Sequence, residues 1–294
     1  MNRADMIETA IKSVIDQHYD SFEHIIIDGG SKDDTLKVLE KYPHLRVISE
    51  PDRGVYDAMN KGIHLAKGDI VGLLNSDDYY EKGCFSKVTN DFICNNEALA
   101  VAGCARVIQK DISNVSKEEI KNYPSSVLNN LLHAASFGVP LTNAWFWRKS
   151  VFDTLGGFDL KYKLVADRDF ILRVYKAGIK YYLSSAIFYN YLFHADSMTI
   201  THHQLRQLKL IKDSIGLAQA YLDDSCESVR RECKDWYIFL VGEMIKIAWR
   251  LGDKKTSLKY LTKIIMSKPL WVFPLVKNNL HVLKHIPEIL KAEK

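Results

Sequence analysis

The sequence predicts an α/β fold, a mainly parallel sheet flanked by helices, with an α-helical region after it. Three observations carry this. Short apolar runs alternate with helix-period segments near the N-terminus, as crossover-connected strands require. Each run ends in acidic or small polar residues, where ligands of such sheets bind. From about Gln204 onward the strand-like runs stop, glycine becomes scarce and helical spacing takes over.

Taken in order, "MIETAIKSVIDQ" sets Ile7, Ile11, Val14 and Ile15 at helical spacing. "HIIIDGG" is a short apolar run closed by Asp28 and two glycines, a buried strand and a turn. "SKDDTLKVLEKY" is a helix with Ser31 before acidic Asp33 and Asp34, and with Leu36 and Leu39 inward. "LRVISE" is a second strand, "GVYDAMNKGIHLAKG" a helix ending at Gly68, and "DIVGLL" a third strand. Beyond a boundary near Ile200, "LRQLKLIKDSIGLAQAYLDD", "VRRECKDWYIFLVGEMIKIAWRLG", "KKTSLKYLTKIIMSK" and "NNLHVLKHIPEILKAEK" all have helical spacing. The expected division is a catalytic domain over 1–200 and a helical extension over 201–294. "AWRLGDKKTSLKYLTKIIMSKP" has the form of one helical hairpin.

Composition narrows the function. The chain has 294 residues, 47% hydrophobic and 26% charged, as in a soluble globular protein. A formal net charge of +4, without a basic aromatic-rich segment, does not point to nucleic acid. Cys84, Cys94, Cys104, Cys226 and Cys233 form no CxxC pair, which fits reduced cytoplasmic thiols rather than a disulfide framework or a zinc site. The first residues lack a signal-peptide core, and no apolar run reaches the roughly eighteen residues of a transmembrane helix.

The strand before Asn75-Ser76-Asp77-Asp78 ends in two adjacent carboxylates. Like charges and burial both raise a carboxylate's pKa, so the arrangement asks for compensation. A hard divalent cation, Mg²⁺ or Mn²⁺, would supply it, because it is commonly held by one or two carboxylates with substrate phosphates. A solvated turn is the plainer alternative.

"IIIDGGSKDDT", "SEPDRGVYDAMNKGIHLAKGDIVGLLNSDD", "GGFD" and "VADRDFILRV" resemble, in order and spacing, the family 2 glycosyltransferases of the Rossmann-like GT-A fold, in the branch that assembles bacterial lipopolysaccharide, capsule and exopolysaccharide. The resemblance covers about residues 2 to 200. It implies that Asp28 contacts the base of a nucleotide sugar and that Asp52 and Arg53 belong to a donor-contacting loop. "NSDD" is similar to the metal-binding DxD motif, with Asn75 in place of its first acid. Asp77 then faces ribose and metal, Asp78 beside it shares the metal, and His194 is a further candidate ligand. Gly156 and Gly157 of "GGFD" resemble the loop that lies against the donor sugar. Asp167 corresponds to the second acid of the ED motif, the catalytic base, with Ala166 where the Glu usually stands. Asp169 reads as a separate, structural acid, and His133 lies where relatives carry an acceptor-side histidine. Trp145 and Trp147 either line an acceptor platform or belong to the core.

The function so implied is inverting, metal-dependent, non-processive transfer of a sugar from a UDP-, GDP- or dTDP-linked donor to a glycan or lipid-linked glycan in cell-surface polysaccharide synthesis. No QxxRW motif of processive synthases is present. The alternative is a non-catalytic nucleotide-sugar-binding or scaffold protein. The location expected is cytoplasmic, with peripheral contact at the inner face of the membrane as a further reading. Eleven Lys/Arg stand against three acids from Lys246 to Lys294, beside Trp271 and Phe273. Finally, "MNRADMIETAIKSV" matches the helix that follows the family's first strand. The expectation is therefore a sheet lacking that strand, a gap of about 5 Å, and a reading frame that begins upstream or a truncated product.

Overall fold

The computed structural model describes residues 1–110, 118–193 and 204–267. These divide into two compact units, Met1–Asp196 and Ser197–Lys294.

In the first unit the elements run α1 (Ile7–Ile15), β1 (His24–Asp28), α2 (Thr35–Leu39), β2 (Leu45–Ser49), α3 (Val55–Leu65), β3 (Ile70–Gly72), β4 (Tyr79–Tyr80), α4 (Cys84–Cys94), β5 (Ala100–Lys110), β6 (Glu118–Tyr123), α5 (Leu131–Ala135), β7 (Trp145–Arg148), α6 (Lys149–Leu155), α7 (Ala166–Lys176) and β8 (Tyr181–Phe193). Short 3-10 turns lie at Ser125–Asn129 and Thr142–Ala144. The elements expected near the N-terminus all form. Helix α2 begins later than its pattern suggests, because Asp33 spends its carboxylate on the backbone N–H and hydroxyl of Thr35, an Asx-type turn that delays the helix.

The α/β class holds, but the strands do not form one mainly parallel sheet. Strands β1 and β2 pair in parallel as a two-stranded sheet, and the others form a mixed sheet in the order β3-β7-β5-β8-β4, with β6 added to β5. Among the described residues only β5 and β8 are parallel there. The cause is β7, which enters between β3 and β5 and runs antiparallel to both. Among the described residues β1 is paired only with β2, and β3 only with β7.

Helix α1 serves both sheets. Its Ile7 and Ile11 pack with Leu39, Ile26 and Leu45, while Val14 joins Tyr80, Cys84, Val88, Phe146 and Phe188. Trp145 and Trp147 are fully buried and stacked, centroids 4.6 Å apart, so both belong to the core. A kink in the β5–β8 pairing falls at Gly103, where an added Cβ would lie 2.3 Å from the Phe188 ring.

The described residues of the second unit form α8 (Gln204–Ala220), α9 (Glu227–Arg250) and α10 (Lys254–Ser267), and the helix expected in "NNLHVLKHIPEILKAEK" lies outside the described residues. Helix α9 buries Val229, Cys233, Trp236, Leu240, Met244 and Ala248, a three-and-four spacing. It ends at Gly252, whose φ of +79° suits glycine. Asp253 then accepts from the Thr256 N–H at 3.0 Å, and Ser257 Oγ donates to the Ile245 carbonyl at 3.0 Å, fixing α10 against α9. No helix of the described residues is long and apolar enough to cross a membrane.

Candidate functional site

Asp28 ends β1 and is 3% exposed. Its Oδ2 accepts from the N–H groups of Gly30 (3.1 Å) and Ser31 (2.8 Å) and from Ser49 Oγ (2.7 Å), and its Oδ1 from Ser31 Oγ. Burial opposes the charge, but these donors prevail and hold the carboxyl below its ordinary range. The turn is held close to the next loop at Gly29, where a Cβ would fall 2.3 Å from Asp52 Oδ2. Asp52 Oδ1 accepts from the Gly54 N–H at 2.9 Å, and Arg53 is gripped twice by Asp57, through its N–H (3.0 Å) and Nη2 (2.9 Å). Asp28, Asp52 and Arg53 thus share one corner at the carboxyl ends of β1 and β2.

The two acids after β3 differ. Asp78 is 1% exposed, and both its oxygens are taken: Oδ2 by Tyr189 Oη (2.6 Å) and Asn75 Nδ2 (3.0 Å), Oδ1 by the Leu192 N–H (2.9 Å). Burial pushes its pKa up to about 6; the Tyr189 hydrogen bond opposes the rise and the charge of Asp77 adds to it. Asp77 is half-buried. Among the described residues no three His, Cys, Asp or Glu side chains gather as a metal cage. Asp78, expected to share a metal with Asp77, is instead enclosed with both oxygens taken by the protein; one carboxylate completed by a donor's phosphates nonetheless suits a hard cation. His194, expected as a further ligand, lies outside the described residues, as do Trp271 and Phe273.

Asp167 stands in the first turn of α7, half-buried. Its Oδ1 accepts from Tyr56 Oη (2.9 Å) and the Arg168 N–H (2.9 Å), and its Oδ2 from Thr142 Oγ1 (3.2 Å). Asp169 points elsewhere: it is 5% exposed and pairs with Arg173 Nε at 2.8 Å. The same Arg173 donates to the carbonyls of Leu155 and Gly157, both at 2.7 Å. Arg168 donates to the carbonyls of Ala135, Ser136 and Gly138, which fixes the segment after α5. There His133 is exposed and stacks on Phe137, centroids 5.5 Å apart.

Gly156 closes α6 at φ +76°. Gly157 leaves room for Asn60, which pairs both ways with the Phe158 backbone at 2.8 Å, donating to its carbonyl and accepting from its N–H. A Cβ at 157 would fall 2.2 Å from Asn60 Oδ1. Sequence reasoning missed Tyr56, Asn60, Thr142 and Tyr189. The first two carried a signal, polar groups at i and i+4 within an amphipathic helix, which puts them on one face.

Residues 1–155 match the family model described as Glycosyl transferase family 2. The chain is 28% identical over 206 residues to the chondroitin synthase of Pasteurella multocida, a match over 68% of this chain and 20% of that protein. It is 30% identical over 181 residues to a PGL/p-HBAD biosynthesis glycosyltransferase of Mycobacterium tuberculosis, 60% of this chain and 66% of that one. The matches thus span about a fifth and just under two thirds of these relatives. Among solved structures, S. aureus TarS 1-349 in complex with UDP-GlcNAc superposes with a TM-score of 0.59 at 15% identity, over 91% of this chain and 89% of that one. A mannosyltransferase from Pyrobaculum calidifontis, in complex with GDP-Man and Mn2+, does so with a TM-score of 0.57 at 16% identity, over 97% and 79%. At such identities the likeness is one of fold.

Proposed function

The chain belongs to glycosyltransferase family 2, and on that premise we propose that it transfers one sugar per encounter, with inversion, from a nucleotide-sugar donor to a glycan or lipid-linked glycan of the cell surface. The observation that carries this is Asp167, a half-buried carboxylate held by Tyr56 and Thr142 at the start of α7. In this reading Asp167 accepts the proton of the acceptor hydroxyl as that oxygen bonds to the anomeric carbon. The bond from that carbon to the donor's diphosphate breaks, and the diphosphate leaves with the electron pair. Asp169 is committed to Arg173, so the site offers no second acid from α7 as a covalent nucleophile, which favours single displacement.

Asp28, Asp52 and Arg53 form the donor's nucleotide corner, with Gly156 and Gly157 beside its sugar. Asp77 is the carboxylate that holds a divalent cation, Mn²⁺ or Mg²⁺, while Asp78 anchors the turn from behind. When bound, such an ion offsets the charge on the departing diphosphate. The GDP-Man and Mn2+ held by the Pyrobaculum calidifontis mannosyltransferase support a nucleotide-sugar and a metal. The chondroitin synthase and the PGL/p-HBAD biosynthesis glycosyltransferase among the relatives support a glycan or lipid-linked acceptor. The setting is the cytoplasm or the cytoplasmic face of the membrane.

The test is a panel of UDP-, GDP- and dTDP-sugars with purified protein, with and without Mn²⁺ or Mg²⁺, read by thermal shift and by transfer to glycan acceptors. Product anomeric configuration by NMR checks inversion. A retained configuration, or no donor binding across the panel, would overturn the reading.

A further inference from the structure

Helix α3 carries Tyr56 and Asn60 one turn apart, and both reach residues about a hundred positions further along the chain. The Asn60 carboxamide pairs with both backbone groups of Phe158, and the Tyr56 ring lies against the Phe158 ring, centroids 5.3 Å apart. The Tyr56 ring is thus confined, and its hydroxyl meets Asp167 Oδ1 at 2.9 Å.

The two oxygens of Asp167 are not equivalent. Oδ1 accepts two bonds of 2.9 Å, from Tyr56 Oη and the Arg168 N–H. Oδ2 accepts one longer bond, 3.2 Å, from Thr142 Oγ1. Threonine's hydroxyl proton can rotate to another acceptor, so this contact is easily given up. A carboxylate with one saturated oxygen and one loosely held oxygen has a defined basic face. General-base catalysis needs that face, because the accepting oxygen must lie within hydrogen-bond reach of the proton it takes.

We propose that Tyr56 is a positioning residue that locks the Asp167 carboxylate so that Oδ2 is the oxygen that takes the acceptor's proton, with Thr142 giving up its contact to the incoming hydroxyl. The proposal rests on the reading of Asp167 as the base. Burial, reinforced by the neighbouring Asp167 charge, holds the Tyr56 phenol well above its ordinary pKa, so it remains a donor at any working pH.

A purely structural staple between α3 and α7 would use the same hydrogen bond, so the test must separate the two. Tyr56→Phe keeps the ring and removes only the hydroxyl. Positioning predicts a kcat at least about tenfold lower, since small misplacements of a reacting group are costly, with the KM for the nucleotide-sugar unchanged. It also predicts that Tyr56→Phe added to Asp167→Asn causes no further loss of transfer, because the group to be positioned is gone. A staple predicts a lower melting temperature with kcat within about twofold of wild type. If Asp167→Asn abolishes transfer and Tyr56→Phe leaves kcat intact, the positioning role is overturned while the base assignment stands. If Asp167→Asn itself transfers at the wild-type rate, the base assignment falls and this proposal with it.

Discussion

The hydroxyl of Tyr189 lies 2.6 Å from Oδ2 of Asp78, and neither residue is more than 2% exposed. An acid this enclosed is held by the protein, whereas its neighbour Asp77 is only half-buried. The pair of carboxylates that looks uniform in the sequence therefore splits into a buried anchor, Asp78, and a half-buried neighbour, Asp77.

Substitutions at the two positions are expected to diverge. Asp77→Ala should lose Mn²⁺-dependent binding of nucleoside diphosphate with its melting temperature unchanged. Asp78→Ala strands the Tyr189 hydroxyl, the Asn75 amide and the Leu192 N–H, and should lose about 1–3 kcal/mol of stability for the buried groups left unpaired. Urea denaturation alongside calorimetric binding checks both, and equal stabilities for the two variants would contradict the division.

Asp167→Asn should bind donor as wild type does and lose transfer by a factor of about a hundred or more, the scale of a lost general base. Donor binding by thermal shift and single-turnover transfer measure the two halves separately. Near wild-type transfer would assign the base elsewhere.

Gly157→Ala should destabilise the fold through Asn60, apart from any effect on a donor sugar beside it. The new Cβ displaces Asn60 from the Phe158 backbone, so this variant and Asn60→Ala each remove the same clamp, at about 1–3 kcal/mol. The double variant should cost clearly less than the sum. Additive losses in equilibrium unfolding would show that the clamp is not the shared cause.

Stability should fall as the solution is acidified through His24. Burial, then the charge of nearby His44, lowers the His24 pKa from 6.5 to about 4, and its buried Nδ1 has no hydrogen-bond partner among the described residues. Between these values the unfolded chain binds a proton that the native protein refuses, so acid favours unfolding. The contribution is fully present above 6.5 and declines towards 4, a loss of up to about 3 kcal/mol. His24→Phe should flatten the pH dependence of the melting temperature over this window, and an unaltered slope would remove His24 as its source.

Local patterns made part of this molecule readable in advance. Helices α1 and α3 follow from the spacing of apolar residues, and strands β1, β2 and β3 from short apolar runs closed by polar residues, although β1 and β2 are half-buried to exposed rather than enclosed. Asp169 could be set apart from Asp167 because residues two apart do not share a helical face. Trp145 and Trp147 could not be placed, since an aromatic pair suits a core and a platform equally, and only their full burial decides. Strand β7, inserted antiparallel between β3 and β5, changed the sheet from the expected parallel form. That Tyr189 and Leu192 would meet Asp78, and Tyr56 meet Asp167, was invisible because no local spacing links residues so far apart in the chain.

That distance governs when the site can exist. Tyr56 and Asp167 are 111 positions apart, as are Asp78 and Tyr189, and Leu192 is 114 from Asp78. At the usual pace of translation, roughly 5–20 residues per second, the first member of each pair waits on the order of 5–20 s for the second to be made. Until then the Asp78 carboxylate has no tyrosine and no strand to rest on. A nascent chain halted before Leu192, or a fragment cut there, holds the "NSDD" residues without their anchor. Premature termination should therefore leave an inert polypeptide, and not a half-working enzyme that squanders activated sugar.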